Sequence, residues 1–484
     1  MALIKVSLEE ETEWALEAIR SYLLTRRFQQ LPTNTRLIPS ASDRQQFRSI
    51  WTGIKTSRNL RDHDWGGYEP IPPEVSGSER GKMINAFKFL VKKAQDVYEN
   101  SGFEGIQEVW EIALSKLSFV TINLRSPTAA PSIFERLNAR GERINVSDLV
   151  RNEIFSRVAN EPALAQEIFT SNWEPFVKKF TDRAIEFEKI LFPYGLTFDS
   201  NLKKADLFQS LRRLWGDTPS PREIIEQMES HTPVFFALSV GESDQFIDQE
   251  FNLVLHDLHF MGAPSSIYPF VFSLYESVRN ESVRSQTAVD CLRIIETFLF
   301  RRALLGLEPT GLHAVFKGLW GECDRSDLTA AKVSLAISRR TTVPWPNDIE
   351  FRDSIINKDL YRRRVCKYAL FQYEKAQVAE SPSDDFEVEH IYPQNPSADW
   401  NIPQDEDSEK MKNVWGNLVP ITRNMNEDNS NYPYDEKVES YSNSMFSSTR
   451  NIPEQYQEWT IDSIRLRGET ISEWALERWP HNRV

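Results

Sequence analysis

The chain has 484 residues, of which 40% are hydrophobic and 12% aromatic, and its net charge is −14. Because a domain usually holds about 100–200 residues, this length predicts two or three domains, and the hydrophobic fraction is enough to fill their cores. No stretch approaches the roughly 18 apolar residues of a membrane-spanning helix, and the acidic Glu9–Glu11 is unlike the start of an export signal. We therefore expect a cytoplasmic protein with no membrane partner.

Neither the cysteines nor the paired histidines favour a metal knuckle. Cys291, Cys323 and Cys366 lie far apart and form no CxxC pair, which favours idle or buried thiols over a disulfide framework. His256 and His259 share one face of a predicted helix and could form a metal pair. No third ligand lies nearby in the sequence, so packed or solvated histidines are the better interpretation.

The excess of acidic residues is concentrated near the C-terminus. From Ala376 to Val484, 9 Lys and Arg residues face 21 Asp and Glu residues, a net charge of −12. Because nucleic-acid enzymes usually carry a basic surface, such an enzyme would need phosphate contacts from elsewhere or from a partner. The basic cluster Arg362–Arg364 with Lys367, on a predicted helix, is either a solvated face or a phosphate-binding edge.

In chain order, most of residues 1 to about 375 is predicted to be helical. Apolar residues recur at spacings of three and four, as with Trp14, Ile19 and Leu23 in the first long helix. The exception is Leu117–Leu124, which is rich in β-branched and aromatic residues and is predicted to be a strand. A bundle-like helical body follows from this pattern.

Glycine, proline and capping residues predict where elements end. A helix from Ser132 to Arg140 should end at Gly141, which can take the left-handed backbone conformation. Ser147 or Asp148 can cap the next helix. The polar, proline-containing segment Glu380–Asp385 marks a boundary before the C-terminal part.

The C-terminal part holds two strand-like runs and a helix start around one histidine. The run Glu387–Gln394 alternates like a short strand, so it would present Glu389 and His390 at the strand's exit. A second run, Trp415–Arg423, follows a glycine turn, and Asn424–Asn431 is rich in residues that cap helices. We expect strand, strand and helix to surround His390.

These residue types suit phosphodiester hydrolysis. The reaction needs a base that deprotonates water, a divalent cation that neutralises charge on the phosphate, and a group that orients the base. A histidine suits the first task, and Mg²⁺ (or Mn²⁺) needs little more from the protein than one carboxylate and one carboxamide. Glu389 and an asparagine can supply these two ligands.

The C-terminal residues resemble the ββα-metal HNH nucleases, and within them the C-terminal domain of GmrSD-type modification-dependent (type IV) restriction endonucleases. The matching elements are, in order, Val388–Gln394, Gly416–Val419, Asn426, Asn431 and Lys437.

The resemblance implies a role for each matching position. His390 corresponds to the general base, and Glu389 before it to the acidic metal ligand. Asn417 corresponds to the asparagine that positions the histidine loop, and Asn426 to the metal-binding asparagine. Lys437 corresponds to a lysine near the phosphate. Two alternatives stay open: Asn424 could replace Asn426 as the ligand, and Asn431 is as well explained by a helix or turn cap.

The body carries a second resemblance. Ile133–Asn152 is similar to the segment that follows the nucleotide-binding, ParB-like region in the same GmrSD-type proteins. Within it, Asn138 and Gly141 either end a helix or contact nucleotide or DNA. The Asp-Gly-Gln-Gln-Arg motif that the family carries near its N-terminus is absent. Asp43–Phe47 imitates it without the glycine and the closing arginine, and we interpret this segment as ordinary helix.

The missing motif implies a partner. We expect a second subunit that carries the nucleotide-binding Asp-Gly-Gln-Gln-Arg region, and Trp14, Ile19 and Leu23 are apolar enough to dock on it. DNA, including modified phage DNA, is the expected substrate.

The sequence thus predicts a mainly α protein with a small α+β domain at its end. Residues 1–120 would form a helical N-terminal region that is truncated relative to the family, residues 121–379 a helical body, and residues 380–484 the ββα-metal HNH domain. The expected function is that of a metal-dependent DNA endonuclease of an anti-phage restriction system. An HNH nuclease that acts alone on RNA or DNA, and a catalytically silent interaction scaffold, are the alternatives.

Overall fold

The structure is a computed structural model of the chain. It describes residues 1–8, 10–24, 35–37, 39, 43–54, 71, 81–118, 145–216, 220–245, 247–323, 327–378, 382–425 and 431–481. None of the helices in these ranges is long and apolar enough to cross a lipid bilayer. The chain divides into two compact units, Met1–Asn123 and Leu124–Val484.

The protein is mainly α with a small α+β part near its C-terminus, which confirms the predicted fold class. The first unit contains α1 (Ala2–Ser7), α2 (Thr12–Ala18), α3 (Arg44–Ile54) and α4 (Lys82–Glu111). Short π-helical turns follow α2 (Ile19–Leu23) and α4 (Ile112–Lys116).

The second unit is built from short and medium helices around one pair of strands. Its elements are α5 (Val146–Ser156), α6 (Pro162–Ile168), α7 (Glu174–Thr181), α8 (Glu188–Phe198), α9 (Leu207–Leu214), α10 (Pro221–Glu229), α11 (Thr232–Val240), α12 (Gln249–Met261), α13 (Tyr268–Arg279), α14 (Ser285–Leu305), α15 (Leu312–Phe316), α16 (Leu319–Glu322), α17 (Ala330–Ser338), α18 (Asp348–Asn357), α19 (Cys366–Lys375), β1 (Glu387–His390), α20 (Glu406–Met411), β2 (Leu418–Ile421), α21 (Tyr434–Ser442), α22 (Ser447–Arg450), α23 (Ile452–Gln455) and α24 (Ile461–Arg478).

The apolar residues near the N-terminus pack inside the first unit. Ile19 is fully buried in a core with Ile4 and other residues of this unit, and Leu23 packs against the same core. The Trp14 ring packs edge-on against Trp110, with 5.1 Å between the ring centroids. The predicted docking face is therefore wrong at Ile19, which is fully buried, whereas Trp14 and Leu23 are half-buried.

The segment that imitates the nucleotide motif lies at the start of α3. The side-chain oxygen of Gln46 accepts a hydrogen bond of 3.0 Å from the backbone N–H of Met83, in the first turn of α4. Phe47 is buried. In the described structure, these residues join two helices of the first unit.

In the second unit, α14 is the central helix. Most of its residues are buried, including Leu292, Ile295 and Phe298, and it packs against α12, α17 and α18. This burial places α14 in the interior of the second unit. The three cysteines of the chain are free, and all of them are buried in this unit.

The C-terminal helix packs into the core of the helical body. The ring of Trp479, just after α24, is fully buried, and its centroid lies 4.0 Å from that of Phe300 on α14. The Arg301 guanidinium donates a 2.7 Å hydrogen bond to the Trp479 carbonyl. Leu418 on β2 belongs to this same core, whereas Val419 and Ile421 on the same strand belong to a second, separate core.

A buried ionic cluster also joins α14 to the end of the C-terminal helix. The Glu296 carboxylate on α14 accepts hydrogen bonds of 2.6 Å from both Arg293 and Arg478, and also from the Tyr368 hydroxyl. The indole N–H of Trp479 donates to the same carboxylate at 3.1 Å. Burial raises the pKa of Glu296, but Arg478 and Arg293 outweigh it and hold this pKa at about 2.

Some predicted elements differ in detail. The cap of α5 is Asn145, whose side chain accepts from the N–H of Ser147; because the helix begins at Val146, Ser147 and Asp148 lie inside its first turn. Leu117 and Ser118 are not in a strand. The rest of the predicted strand, the helix Ser132–Arg140, Asn138 and Gly141 lie outside the described residues.

Candidate functional site

The predicted site is built on the strand pair. β1 and β2 are antiparallel, with Glu389 opposite Val419 and His390 opposite Leu418. All four residues of β2 are buried, whereas β1 is buried only at Glu389 and His390. The order strand, strand, helix is completed by α21, which lies against β1 through side chains described below.

His390 lies at the end of β1 and has a defined orientation. Its ring packs edge-on against Tyr361, with 4.4 Å between the ring centroids. Its Nε2 lies 3.0 Å from the side-chain oxygen of Asn413. The Asn413 amide nitrogen in turn donates a 3.0 Å hydrogen bond to the Asp359 carboxylate. His390, Asn413 and Asp359 therefore form a continuous hydrogen-bonded line.

This line favours one histidine tautomer. A carboxylate only accepts hydrogen bonds, so the amide nitrogen of Asn413 faces Asp359 and its oxygen faces His390. The Asn413 oxygen favours a proton on Nε2 of His390, with the lone pair on Nδ1, whereas the Gln394 amide nitrogen, 3.3 Å from the same Nε2, favours the opposite tautomer. The amide nitrogen of Gln394, 3.4 Å from the Asn413 oxygen, approaches the same acceptor.

The surroundings also set the protonation state of His390. Burial lowers its pKa; the hydrogen bond to Asn413 opposes this effect, and the positive charge of Lys437 adds to it. Because the neutral form is favoured, the imidazole can act as a base near neutral pH.

Asn417 holds the loop that follows His390. Its fully buried side chain accepts a 2.8 Å hydrogen bond from the backbone N–H of Tyr392 and donates bonds of 2.8 Å to the Tyr392 carbonyl and 2.7 Å to the Lys412 carbonyl. The Trp459 indole donates to the Asn417 oxygen at 3.0 Å. These bonds fix both the loop after β1 and the chain before β2.

Gly416 permits the close approach of α24 to this region. A Cβ atom at this position would lie 2.2 Å from the Ile464 carbonyl oxygen, which is far too short for any contact. The buried Arg467 guanidinium donates to the carbonyls of Gly416 at 2.8 Å and Leu418 at 3.0 Å. The glycine and arginine therefore attach β2 to the C-terminal helix.

Glu389 is paired with a lysine. Its carboxylate accepts a 2.6 Å hydrogen bond from Lys437 and a 3.1 Å bond from the Tyr441 hydroxyl, both on α21. Lys437 is fully buried and also donates to the carbonyls of His390 at 3.2 Å and Ile391 at 3.3 Å. Burial raises the pKa of Glu389 and lowers that of Lys437, while their mutual attraction opposes both shifts.

This pairing bears on the predicted metal and phosphate contacts. The described residues contain no group of three His, Cys, Asp or Glu side chains that could hold a metal ion. Glu389 is only 5% exposed, and Lys437 already supplies its counter-charge. The described donors thus do not fit a metal by themselves. All three ammonium hydrogens of Lys437 have acceptors, so its contact with phosphate stays a prediction.

The predicted asparagines are not brought together in the described structure. Asn426 lies outside the described residues. Asn424 and Asn431 are exposed, and the Asn431 carbonyl accepts a 3.4 Å bond from Trp400. His256 and His259 have separate partners: His256 faces Asp384 at 3.8 Å, and His259 bonds to the Leu238 carbonyl at 3.0 Å.

In the basic cluster before β1, Arg362–Arg364 lie in a turn because α19 begins only at Cys366, whereas Lys367 lies on that helix as predicted. Arg362 is 80% exposed and lies 3.5 Å from the Asp359 carboxylate. Lys367 instead donates a 2.6 Å hydrogen bond to the Phe386 carbonyl. Of this cluster, Arg362 therefore lies beside the histidine line with its charged group in solvent.

The sequence interpretation missed Asn413, Asp359 and Tyr361. Asn413 comes shortly before Asn417 in a polar loop, so its position beside the second strand was a usable signal. Asp359 and Tyr361 follow α18 and lie far from His390 in the sequence, and only the packing of the body against the strand pair brings them to the site. No local pattern could have indicated them.

A comparison with protein families identifies this region. Residues 345–474 match the family described as GmrSD restriction endonucleases, C-terminal domain. This match covers the C-terminal part of the chain, which is similar to the C-terminal domain of GmrSD restriction endonucleases. The match supports a restriction endonuclease role, and such a role implies DNA as the substrate. The matched segment begins before α18, so it includes Asp359 as well as His390. A search of curated proteins found no match.

Proposed function

We propose that this chain is an HNH-type DNA endonuclease in which His390 is the general base of phosphodiester hydrolysis. The observation that carries the proposal is the line from Asp359 through Asn413 to Nε2 of His390, inside the segment that matches the GmrSD C-terminal domain. The line favours Nδ1 as the basic nitrogen.

The chemistry follows from this tautomer. Nδ1 of His390 takes a proton from a water molecule, whose oxygen forms a bond to phosphorus while the bond from phosphorus to the leaving oxygen breaks. The leaving oxygen then takes a proton from solvent. The pKa of His390, which burial lowers, keeps the imidazole neutral and ready to accept the first proton.

Arg362 is the side chain best placed to bind the phosphate backbone. It is exposed and attached through Asp359 to the same line as His390. An arginine guanidinium binds phosphate oxygens through two parallel N–H groups. This contact would position DNA against an otherwise acidic C-terminal part, whose net charge is −12 between Ala376 and Val484.

Magnesium or manganese remains part of the proposal on the strength of the family resemblance. Glu389 and Asn426 are the ligands that the resemblance implies, and a bound cation would neutralise charge on the scissile phosphate. In the structure, Glu389 is paired with Lys437. If EDTA leaves cleavage of plasmid DNA unchanged, the metal assignment is wrong.

We also propose that regulated cleavage needs a partner subunit, which supplies nucleotide binding and additional phosphate contacts. The support is the absence of an Asp-Gly-Gln-Gln-Arg motif from the sequence, together with the acidic C-terminal part. Triphosphate turnover by the purified chain, measured alone and with the product of the adjacent gene, tests this. Robust turnover by the chain alone would overturn the need for a partner.

The decisive experiment compares wild type with His390→Ala on supercoiled plasmid DNA and on RNA, with Mg²⁺ or Mn²⁺, with and without the partner. We expect wild type to nick DNA and His390→Ala to lose about 100-fold or more of this activity, as removal of a general base does. Preferred cleavage of RNA would favour the stand-alone alternative. Equal activity of the two proteins would remove His390 from the mechanism.

A further inference from the structure

A large cavity lies in the helical body, away from the proposed nuclease site. Its volume is about 1200 Å³, and its walls come from α8, α9, α11, α13 and α15 with their adjoining turns. Every lining residue lies between Val146 and Lys317, so none belongs to the segment that matches the GmrSD C-terminal domain. Pockets that bind small molecules usually measure about 300–1,000 Å³, so this cavity is large enough for one.

Four lysines surround the cavity, in a chain whose net charge is −14. They are Lys189, Lys203, Lys204 and Lys317. Two carboxylates, Glu186 and Glu188, line the same cavity, so four lysines there face two acidic residues. The lysines outnumber the carboxylates, which leaves a local excess of positive charge that attracts an anionic group.

The cavity also offers an aromatic surface. The rings of Phe192 and His313 are stacked, with 6.3 Å between their centroids and 19° between their planes. The Lys204 ammonium lies 5.6 Å from the centroid of Phe192. Aromatic faces next to cations are the surfaces on which nucleic acid bases stack.

The cavity wall contains hydroxyl groups with unused hydrogen-bonding capacity. The hydroxyls of Ser239 and Ser266 are buried, and neither has a hydrogen-bond partner among the described residues. A buried polar group without a partner costs free energy, and a ligand that hydrogen-bonds to it would recover that cost. The cavity therefore combines an apolar and aromatic floor, two hydroxyls and a lysine rim.

We propose that this cavity binds a nucleotide, with the base against Phe192 and the phosphate toward Lys204 and Lys317. The ligand could be a free nucleotide or one nucleotide of a nucleic acid strand, since both present a planar base and an anionic phosphate. The site is separate from His390 and does not depend on the proposed nuclease mechanism.

The test measures binding by isothermal titration calorimetry to the full chain. The probes are deoxycytidine monophosphate, ATP and a short single-stranded DNA oligonucleotide. Lys204→Glu should weaken binding by about 10-fold or more, a change equivalent to about 1.4 kcal/mol. Phe192→Leu should weaken binding through lost stacking. Lys178→Glu, an exposed lysine of the same unit that does not line the cavity, is the matched control.

The probes distinguish the source of the ligand. Binding of the mononucleotides indicates a free nucleotide, and binding of the oligonucleotide alone indicates a nucleotide within a strand; both support the proposal if Lys204→Glu and Phe192→Leu weaken it and Lys178→Glu does not. Thermal melting of each variant verifies that it is folded. Absence of binding of all three probes to wild type, or equal affinities of Lys204→Glu and Lys178→Glu, would overturn the proposal.

Discussion

The side-chain oxygen of Asn413 lies 3.0 Å from Nε2 of His390, and this contact favours Nδ1 as the basic nitrogen of the imidazole. Asn413 is itself held by Asp359 through a second bond of 3.0 Å. Neither residue lies on the strand that carries His390. The histidine is thus oriented by two side chains from other parts of the unit, in the manner of a base that a third group orients.

Replacing Asn413 should impair cleavage without removing the base. In Asn413→Leu, His390 loses the acceptor that favours this tautomer, and we expect kcat to fall by about 10-fold or more while KM for DNA changes little. Asn443→Leu, on the exposed surface after α21, is the control. Plasmid nicking at saturating DNA measures the effect. A change in KM alone would show that Asn413 contacts DNA instead of positioning His390.

The pH dependence of cleavage tests whether His390 acts as a base, because a purely structural role of His390 would not alter this dependence. Burial lowers the pKa of His390, so its neutral form persists below the ordinary histidine value. Cleavage by wild type should stay constant from about pH 8 to about pH 6.5 and fall only at lower pH. Since the charge of Asp359 raises this pKa, Asp359→Asn should move the fall to still lower pH. A shift of the acid limb to higher pH would contradict the assignment.

Removal of one partner of the Glu389–Lys437 pair should lower the free energy of unfolding more than removal of both. Lys437→Met leaves a buried carboxylate without its counter-charge, which usually costs about 3–5 kcal/mol in the free energy of unfolding. The double variant Glu389→Gln/Lys437→Met should lose less. Lys410→Met, whose partner Glu406 is exposed, is the control. Urea unfolding measures all four proteins. An equal loss in the single and double variants would argue that the pair does not act as a unit.

Because of Glu296, the stability of the second unit should fall as the pH is lowered. Its folded pKa is about 2 and lies below the ordinary value of 4.5, so the unfolded chain binds the proton more tightly. The contribution of the carboxylate is therefore complete above pH 4.5 and is lost as the pH falls toward 2. The difference in free energy of unfolding between wild type and Glu296→Gln should shrink over that range. Glu477→Gln, on the exposed side of α24, should show no such trend.

The sequence predicted the parts of this fold that depend on local patterns. Helical periodicity indicated the helical body, and the alternating run around Glu389 and His390 indicated β1. Both patterns arise because one face of a helix or strand is buried and the other is exposed. The buried hydrogen bonds of Asn417 agree with a residue that positions the histidine loop, a role that resemblance alone suggested.

What the sequence could not predict depends on contacts between distant segments. Asp359 joins the His390 line only because the turn after α18 packs beside the strand pair. Lys437 resembled a phosphate-binding lysine. In the structure, α21 places its ammonium beside β1, where Glu389 and two backbone carbonyls accept its hydrogen bonds. Trp14 and Ile19 looked like a docking face because an amphipathic helix does not reveal whether its partner is in the same chain.

Gly416 offers a final test of how the histidine loop is supported. In Gly416→Ala, the new methyl group would lie 2.2 Å from the Ile464 carbonyl, so either α24 or the chain before β2 must move. Such overpacking typically costs about 1–3 kcal/mol in the free energy of unfolding. Gly321→Ala is the matched control, because a Cβ atom there meets nothing within 4 Å and a helical alanine is favoured over glycine. Since Asn417 follows directly and holds the loop after His390, Gly416→Ala should also lower kcat at temperatures where it remains folded. Full stability and full activity of Gly416→Ala would show that the close approach of α24 is not needed for the site.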